Sequence, residues 1–163
     1  MEWADDAIVL NVRSHGESSA VMDALTRGHG RHAGLVRGAS SRKSKAALQP
    51  GNSVRLTWRA RLNEHLGTFA AEPFRTRAGH LMEDRDALAG LNALTALIIA
   101  TLPEREAHIS VYEASELLLD AIASQDFAHW GPLFVRWEAG LLDELGFGLD
   151  LSECAATGIT DEL

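Results

Sequence analysis

The spacing of apolar residues changes near residue 80, and this change limits what the chain can fold into more than any other feature of the sequence. Before it, apolar and polar residues alternate in short runs, of which 52–62 is the clearest. After it, apolar residues recur at every third or fourth position. Alternation is typical of strands with one buried face, and the longer spacing is typical of amphipathic helices. The sequence therefore predicts an α+β protein in two parts, with domains at 1–78 and 79–163.

The first part is predicted to contain five short strands, which are bounded by glycine and proline turns and lie at 6–13, 17–25, 31–37, 52–62 and 68–77. Five strands in so short a stretch indicate a small closed barrel or sandwich, and a five-stranded barrel of OB type fits the count. One face of the fourth strand is predicted to be buried, namely Val54, Leu56, Trp58, Ala60 and Leu62. The opposite face would then present an exposed stripe of arginines, Arg55, Arg59 and Arg61.

The stretch 34–51 reads GLVRGASSRKSKAALQPG, and its middle, residues 37–45, is called the basic segment below. It holds no acid and four cations, which are Arg37, Arg42, Lys43 and Lys45. Cations this close repel one another unless a polyanion or distant carboxylates shield them. Nucleic acid is the obvious polyanion, and OB barrels commonly bind single strands through a cationic groove with aromatic stacking platforms. A solvated basic loop without a ligand is the alternative.

Aromatic residues give a less definite prediction for the first part. Trp58 shares the inward face of its strand and is expected in the core. Trp3, Phe69 and Phe74 could stack on bases, but they could equally close the ends of the barrel. Both interpretations stay open from the sequence.

The two parts carry opposite net charges. Residues 1–78 contain 12 Lys/Arg and 7 Asp/Glu, a net charge of +5. Residues 79–163 contain 3 Lys/Arg and 16 Asp/Glu, a net charge of −13. Such polarisation predicts two modules with different partners. The overall charge of −8 therefore does not exclude nucleic acid as a ligand of the first part.

The second part is predicted to be a small helical bundle with an acidic surface. Its helices are expected near 88–102, 110–122 and 134–146. Ser110 is the predicted N-cap of the middle helix, and Gly146 is predicted to end the last one.

Sequence motifs for catalysis and metal binding are missing. The sequence has no Gly-x-x-x-x-Gly-Lys loop, no His-Glu-x-x-His and no Cys-x-x-Cys, and its seven histidines are dispersed. We therefore expect no enzyme activity, no cofactor and no metal.

The single cysteine, Cys154, excludes an internal disulfide and fits a reducing cytosol. No apolar run approaches the roughly 20 residues of a membrane span, and acids near the N-terminus argue against export. A cytoplasmic protein without a membrane partner is expected.

Short motifs along the whole chain resemble those of the bacterial RecO family. They are Ile8-Val9-Leu10, His15-Gly16-Glu17-Ser18, His29-Gly30, Val36-Arg37-Gly38, Ser41-Arg42-Lys43-Ser44-Lys45, Leu48-Gln49-Pro50-Gly51, Trp137-Glu138, Leu141-Leu142, Leu145-Gly146-Phe147, and Leu151 before Cys154. The resemblance implies a nucleoid-associated recombination mediator that binds and anneals single-stranded DNA in DNA repair. It also implies contacts with single-strand-binding protein and RecR. Through these contacts, such proteins help RecA to load on DNA strands that single-strand-binding protein covers, in the RecF-type pathway.

Two features depart from the family pattern. Many relatives hold zinc with a C-terminal cysteine cluster, whereas this chain has only Cys154, so zinc is not expected. The chain also stops soon after Cys154, where family members usually continue. We therefore expect it to be shortened at the C-terminus, which leaves partner contacts of that region open.

Two sets of binding residues follow from the sequence and the resemblance. The predicted DNA-binding residues are Arg37, Arg42, Lys43, Lys45, Arg55, Arg59 and Arg61. The acidic tail of single-strand-binding protein needs a local cation beside an apolar pocket, because the second part repels it on average. The predicted partner-binding residues are Arg105, Arg136 and Trp137, whereas Arg85 is expected to be neutralised by flanking aspartates. Two alternatives stay open: a protein–protein adaptor whose acidic helical part is the main functional surface, and a nucleic-acid enzyme.

Overall fold

The computed structural model describes residues 1–150, 152, 156 and 160. The first part contains β1 (Glu2–His15), β2 (Ser19–Thr26), β3 (Gly30–Val36), α1 (Arg42–Ala47), β4 (Ser53–Arg59) and β5 (Thr68–Arg75). The second part contains α2 (Ala78–Glu83), α3 (Arg85–Thr101), α4 (Ile109–Ser124) and α5 (Phe127–Glu144). The predicted α+β class is confirmed. Leu151 and Cys154, which carried two of the sequence arguments, lie outside the described residues.

The five strands close into a barrel in the order β1-β2-β3-β5-β4, and β4 pairs back onto β1. All neighbours are antiparallel except β3 and β5, which run parallel. The strand β1 is long because its first half pairs with β4 and its second half with β2. Its register with β2 shifts between Val9 and Asn11, a bulge that bends the strand from one neighbour to the other. The predicted barrel of OB type is confirmed.

The barrel core follows the predicted alternation only as far as β4 extends. Val54, Leu56 and Trp58 are buried, as predicted, and Ala60 is half-buried. Leu62 is 50% exposed, so its predicted place in the core is wrong. The reason is that β4 ends at Arg59, and side chains beyond a strand no longer alternate between its two faces.

Three further details differ from the sequence predictions. The basic segment is not entirely a loop, because α1 begins within it. Helix α2 was not predicted at all. Ser110 is not an N-cap: α4 begins one residue earlier, at Ile109, and the Ser110 hydroxyl donates to a Glu144 carboxylate oxygen at 2.7 Å. Gly146 ends α5 with φ +83°, a conformation that favours glycine.

The two parts of the chain share a hydrophobic core. Ile8, Leu10 and Leu25 of the barrel belong to the same buried cluster as Leu94 of α3 and Leu119 of α4. The remaining barrel core is a second cluster centred on Trp58. The helices thus cover apolar side chains of β1 and β2, which would be exposed in an isolated barrel. Binding and stability are therefore best measured on the whole chain.

A buried arginine links the barrel to α4. The Arg77 side chain is 3% exposed, and its guanidinium donates to Asp120 Oδ1 and Glu116 Oε2, each at 2.6 Å. It also donates to the Gly51 carbonyl at 3.0 Å and to the Ser53 hydroxyl at 2.7 Å. These contacts are called the Arg77 network. A guanidinium can remain charged in such a buried place because carboxylates and oxygen acceptors surround it.

The buried Asn52 side chain connects α1 to the same junction. Its amide nitrogen donates to the carbonyls of Ala46 and Ala47, at 3.0 and 3.2 Å. Its amide oxygen accepts from the N–H groups of Arg77 and Ala78, at 2.8 and 3.1 Å. One side chain thus fixes the end of α1 against the start of α2.

We expect Arg77→Ala to lower the free energy of unfolding by about 3–5 kcal/mol. It removes the buried cation that lies 2.6 Å from Glu116 and leaves that largely buried carboxylate only the half-exposed Arg75, at 3.4 Å. The matched control is Arg55→Ala, which removes an exposed pair with Asp6 and should cost less than about 1 kcal/mol. Urea denaturation followed by circular dichroism measures both. Equal losses of stability in the two variants would show that the Arg77 network does not stabilise the junction.

Asn52→Ala should lower the free energy of unfolding by at least about 2 kcal/mol, because it leaves buried backbone groups unpaired. Asn92→Ala removes the same side chain from an exposed position on α3 and should change stability by less than about 0.5 kcal/mol. The same denaturation experiment compares them. An Asn52→Ala variant as stable as Asn92→Ala would contradict the anchoring role.

Candidate nucleic-acid interface

The basic segment spans the turn after β3 and the first residues of α1. The hydroxyl of Ser41 caps α1 by accepting from the N–H of Ser44 at 3.2 Å. At the other end of α1, Ala47 and Leu48 are buried, and Leu48 belongs to the barrel core. The four cations of the segment, Arg37, Arg42, Lys43 and Lys45, lie at the surface, and all four are exposed. The sequence therefore builds a short helix with an apolar end on the barrel and its cations toward solvent.

Ion pairing separates the cations of the first part into two groups. Seven of the twelve make an ion pair with a carboxylate: Arg13, Arg27, Arg31, Arg55, Arg59, Arg75 and Arg77. Among the residues that the structure describes, the other five have no such pair: Arg37, Arg42, Lys43, Lys45 and Arg61. Uncompensated positive charge is therefore concentrated on the basic segment.

The predicted arginine stripe is partly neutralised by the neighbouring strand. Asp6 and Glu2 of β1 lie directly opposite Arg55 and Arg59 of β4, and each pair is joined at 2.8 Å. The hydrogen bond from Arg59 lowers the pKa of the Glu2 carboxyl. Arg61 lies beyond the end of β4 and is exposed. The stripe thus contains two compensated cations and one without a carboxylate partner in the described part of the chain.

Trp3, Phe69 and Phe74 are the three aromatic residues whose role the sequence leaves open, and two of them pack in the barrel. Phe69 is buried, and a Cβ atom on Gly34 would come within 2.5 Å of its ring, so this ring fills the space that the glycine leaves. Trp3 is half-buried and stacks on His29, with ring centroids 4.1 Å apart and planes inclined by 8°. Phe74 is 53% exposed on β5. Of the three, only Phe74 presents most of its ring to solvent.

A second candidate site is an apolar groove of about 500 Å³ between α4 and α5. Its floor includes the buried Leu118, Trp137 and Leu141, and its edges include the exposed Leu117 and Leu133. The Trp137 ring is fixed because its Nε1–H donates to the hydroxyl of Ser115 at 3.0 Å.

Arg136 lies at this groove beside Trp137, and it is exposed. Within residues 1–150 it forms no ion pair. The acids Asp143 and Glu144 also line the groove. The site therefore combines an apolar floor with one cation on a surface that is otherwise acidic.

Arg105 lies elsewhere, at the junction of the two parts. Its guanidinium donates to the backbone carbonyls of Asn63, Glu64 and His65 in the β4–β5 connection. Its own N–H donates to the Arg31 carbonyl at 2.8 Å, and its φ of +66° is rare for a residue with a side chain. These contacts use three of the five N–H donors of its guanidinium, and Arg105 does not line the groove with Arg136 and Trp137.

Sequence reasoning missed the residues that hold these sites in place. Asn52 follows Pro50-Gly51 and resembles an ordinary turn residue, and Arg77 sits in a polar stretch between two elements. Only the pairing of β1 with β4 could have been detected from the sequence, because the acids of β1 and the arginines of β4 are each spaced by four residues.

In the described part of the chain, no three His, Cys, Asp or Glu side chains come together as metal ligands. Across those same residues, no helix has the length and apolar character needed to cross a membrane.

Comparison with known proteins gives two family matches that together cover nearly the whole chain. Residues 1–77 match the family model "Recombination protein O N terminal", and residues 82–163 match "Recombination protein O C terminal".

Three curated relatives show the extent of the similarity. The DNA repair protein RecO of Ruegeria sp. (strain TM1040) is 53% identical over 163 residues, which is all of this chain and 67% of the relative. RecO of Rhodospirillum centenum is 53% identical over 161 residues, or 99% of this chain and 63% of the relative. RecO of Sinorhizobium medicae is 52% identical over 163 residues, or 100% of this chain and 64% of the relative. The chain thus spans about two thirds of the length of these bacterial relatives, and it belongs to the RecO family of DNA repair proteins, which is not known as a family of enzymes.

Proposed function

We propose that this protein binds single-stranded DNA through the basic segment and anneals complementary strands, without catalysing a reaction. One observation carries the proposal. The four cations of the basic segment lie at the surface and have no carboxylate partner among the described residues, whereas seven of the other eight cations of the first part are paired. Membership of a DNA repair family supports nucleic acid as the polyanion that these cations meet.

Electrostatics alone can account for annealing by such a surface. Two complementary strands repel each other through their phosphates, and cations that bind phosphate also release the counterions condensed on the strand. A surface that lowers this repulsion lets bases pair without any chemical step. ATP is then not required, and contacts with phosphate carry no information about base sequence.

Membership of the RecO family supports the wider role of a recombination mediator. In this role the protein would act in the bacterial cytoplasm, at the nucleoid, on strands that single-strand-binding protein covers. It would contact RecR and help RecA to load, as in a RecF-type pathway. Because the chain spans about two thirds of its relatives, these partner contacts are proposals for the region present here.

The first test is the salt dependence of DNA binding. Replacing Arg42, Lys43 and Lys45 together by alanine should weaken binding to every sequence alike. It should reduce the slope of log K against log salt by up to about 0.7 for each phosphate that the variant no longer neutralises on a single strand. Fluorescence anisotropy with a labelled single strand at several salt concentrations measures this. The variant should fold as stably as the wild type, because these side chains lie at the surface and are unpaired within the described chain.

The arginine stripe supplies a matched comparison for this test. Arg55 and Arg59 must give up Asp6 and Glu2 before they can bind phosphate, so we expect the double alanine variant to reduce the slope less. Arg61 needs no such exchange within the described residues and should behave like one cation of the basic segment. A folded triple variant with an unchanged slope would assign the basic segment to structure rather than DNA binding.

We further propose that the α4–α5 groove binds the tail of single-strand-binding protein, which is acidic and ends in apolar residues. The apolar floor can take the end of such a peptide, and Arg136 supplies the cation that an acidic peptide needs. In this arrangement Trp137 forms part of the floor and Arg105 takes no part.

Arg136→Ala should weaken binding of a labelled tail peptide at least several-fold and leave the affinity for single-stranded DNA unchanged. Arg85→Ala is the control, because it removes an exposed arginine that lies between Asp84 and Asp86 and away from the groove. Both peptide affinities are measured by anisotropy. Equal peptide affinity of the wild type and the Arg136 variant would refute this site. Peptide binding without any DNA binding would instead favour the alternative function, a protein–protein adaptor.

A further inference from the structure

A second pocket, of about 310 Å³, opens beside the basic segment between the β1–β2 hairpin and α1. This volume is at the lower end of the range for ligand pockets and suits one small polar molecule with a flat apolar part. Its walls come from three stretches that the sequence places far apart: the hairpin at 12–20, the turn at 39–40 and α1 with the turn after it at 45–50.

The chemistry of the pocket differs between its floor and its edge. The floor is apolar, because Ala20, Ala39 and Leu48 are buried there. Lys45, Ser14 and Ser40, all exposed, also line the pocket and make up its polar side. A nucleotide has the complementary division, since its base is flat with apolar faces and its sugar and phosphate are polar and anionic.

One carboxylate also lines the pocket. Glu17, at the tip of the hairpin, repels a phosphate on its side, and its carboxylate can accept a hydrogen bond from an N–H group of a base. Gln49 uses its amide nitrogen on the Lys45 carbonyl at 2.9 Å. Lys45 is the one cation among the lining residues.

The walls of the pocket are held by the fold. Gly16 turns the hairpin with φ +68°, and His15 pairs with Ser19 across it. On the other side, Asn52 anchors the end of α1. A pocket between two fixed walls is preformed, so little ordering is needed when a ligand enters.

We infer that this pocket binds one unstacked nucleotide of the single strand that lies on the basic segment. The base rests on the apolar floor, and its phosphate meets Lys45. This inference deepens the proposed function and rests on it. It adds a preference for single strands, because a base in a duplex must first leave its stack and its partner before it can enter such a pocket.

The experiment separates contacts with a base from contacts with phosphate. Two labelled oligonucleotides of equal length are compared by anisotropy, one of thymidines and one of abasic residues. The wild type should bind the thymidine strand several-fold more tightly. Ser14→Phe, which fills the pocket, should abolish this difference, and it should change the affinity for the abasic strand far less than the affinity for the thymidine strand. Lys45→Ala should weaken binding of both strands.

Ser18→Phe is the matched control, because Ser18 is exposed on the same hairpin but does not line the pocket. It should keep the preference for the thymidine strand. If Ser14→Phe does not fold, Ser40→Phe fills the pocket from the opposite wall and should give the same loss of preference.

The two strands and the pocket-filling variants together decide between the possibilities. Equal wild-type affinity for the two strands would overturn the nucleotide pocket and leave the proposed DNA binding intact. A preference for thymidine that survives in the folded pocket-filling variants would also overturn it. Absence of binding to either strand would instead refute the proposed function on which the inference rests.

Discussion

The arrangement of this protein depends on a buried arginine. Arg77 is almost fully enclosed, and Glu116 and Asp120 of α4 accept its hydrogen bonds while Gly51 and Ser53 hold it to the barrel. Removing either side of this contact would leave a charge in a poorly solvated place, which is costly. The helical part is therefore fixed on the barrel, and Asn52 extends the same contact to α1. The position of the basic segment follows from this junction.

The opposite charges of the two parts serve first to join them. Carboxylates of the helical part, on Glu104, Glu113, Glu116 and Asp120, pair with arginines of the first part. Within the barrel, Glu2 and Asp6 compensate two arginines of β4. The basic segment is where this internal compensation stops. It is this residual charge, rather than the net charge of either part, that supports a polyanionic ligand.

The sequence was sufficient for the five strands and the three long helices, because hydrophobic periodicity reports directly which face of an element is buried. Alternation in 52–62 identified the strand and its inward Trp58, and the basic segment was visible as a run of cations. The sequence did not show which acidic residue pairs with which arginine. The sequence predicts Arg55 and Arg59 as an open stripe, because the predicted first strand, 6–13, leaves out residues 2–5 and alternation does not show which strand lies beside β4.

Contacts between residues far apart in the chain were beyond such reasoning. Arg105 was assigned to a partner site from its charge, yet three carbonyls of the β4–β5 connection occupy its guanidinium. Asn52 and Arg77 gave no signal, because their importance comes from burial between elements that the fold brings together. The pocket beside α1 likewise joins three separate stretches, and no local pattern marks it.

The proposed contact between the basic segment and DNA can be measured directly, through the reactivity of the lysines of this chain. Its only lysines are Lys43 and Lys45, and both lie in the basic segment. The acylation rate of the lysine amines therefore measures how accessible the basic segment is, and the acylation rate of the N-terminal amine serves as an internal reference. The reference amine of Met1 bonds to the Ala60 carbonyl at the other end of β1 from the hairpin. Mass spectrometry of the intact protein and its peptides, with and without saturating single-stranded DNA, measures both rates. We expect DNA to slow acylation of Lys43 and Lys45 at least several-fold, and to slow that of Met1 less, because its amine is bonded to the residue before Arg61 and not to the basic segment. Equal lysine rates under conditions where anisotropy shows full binding would contradict the account.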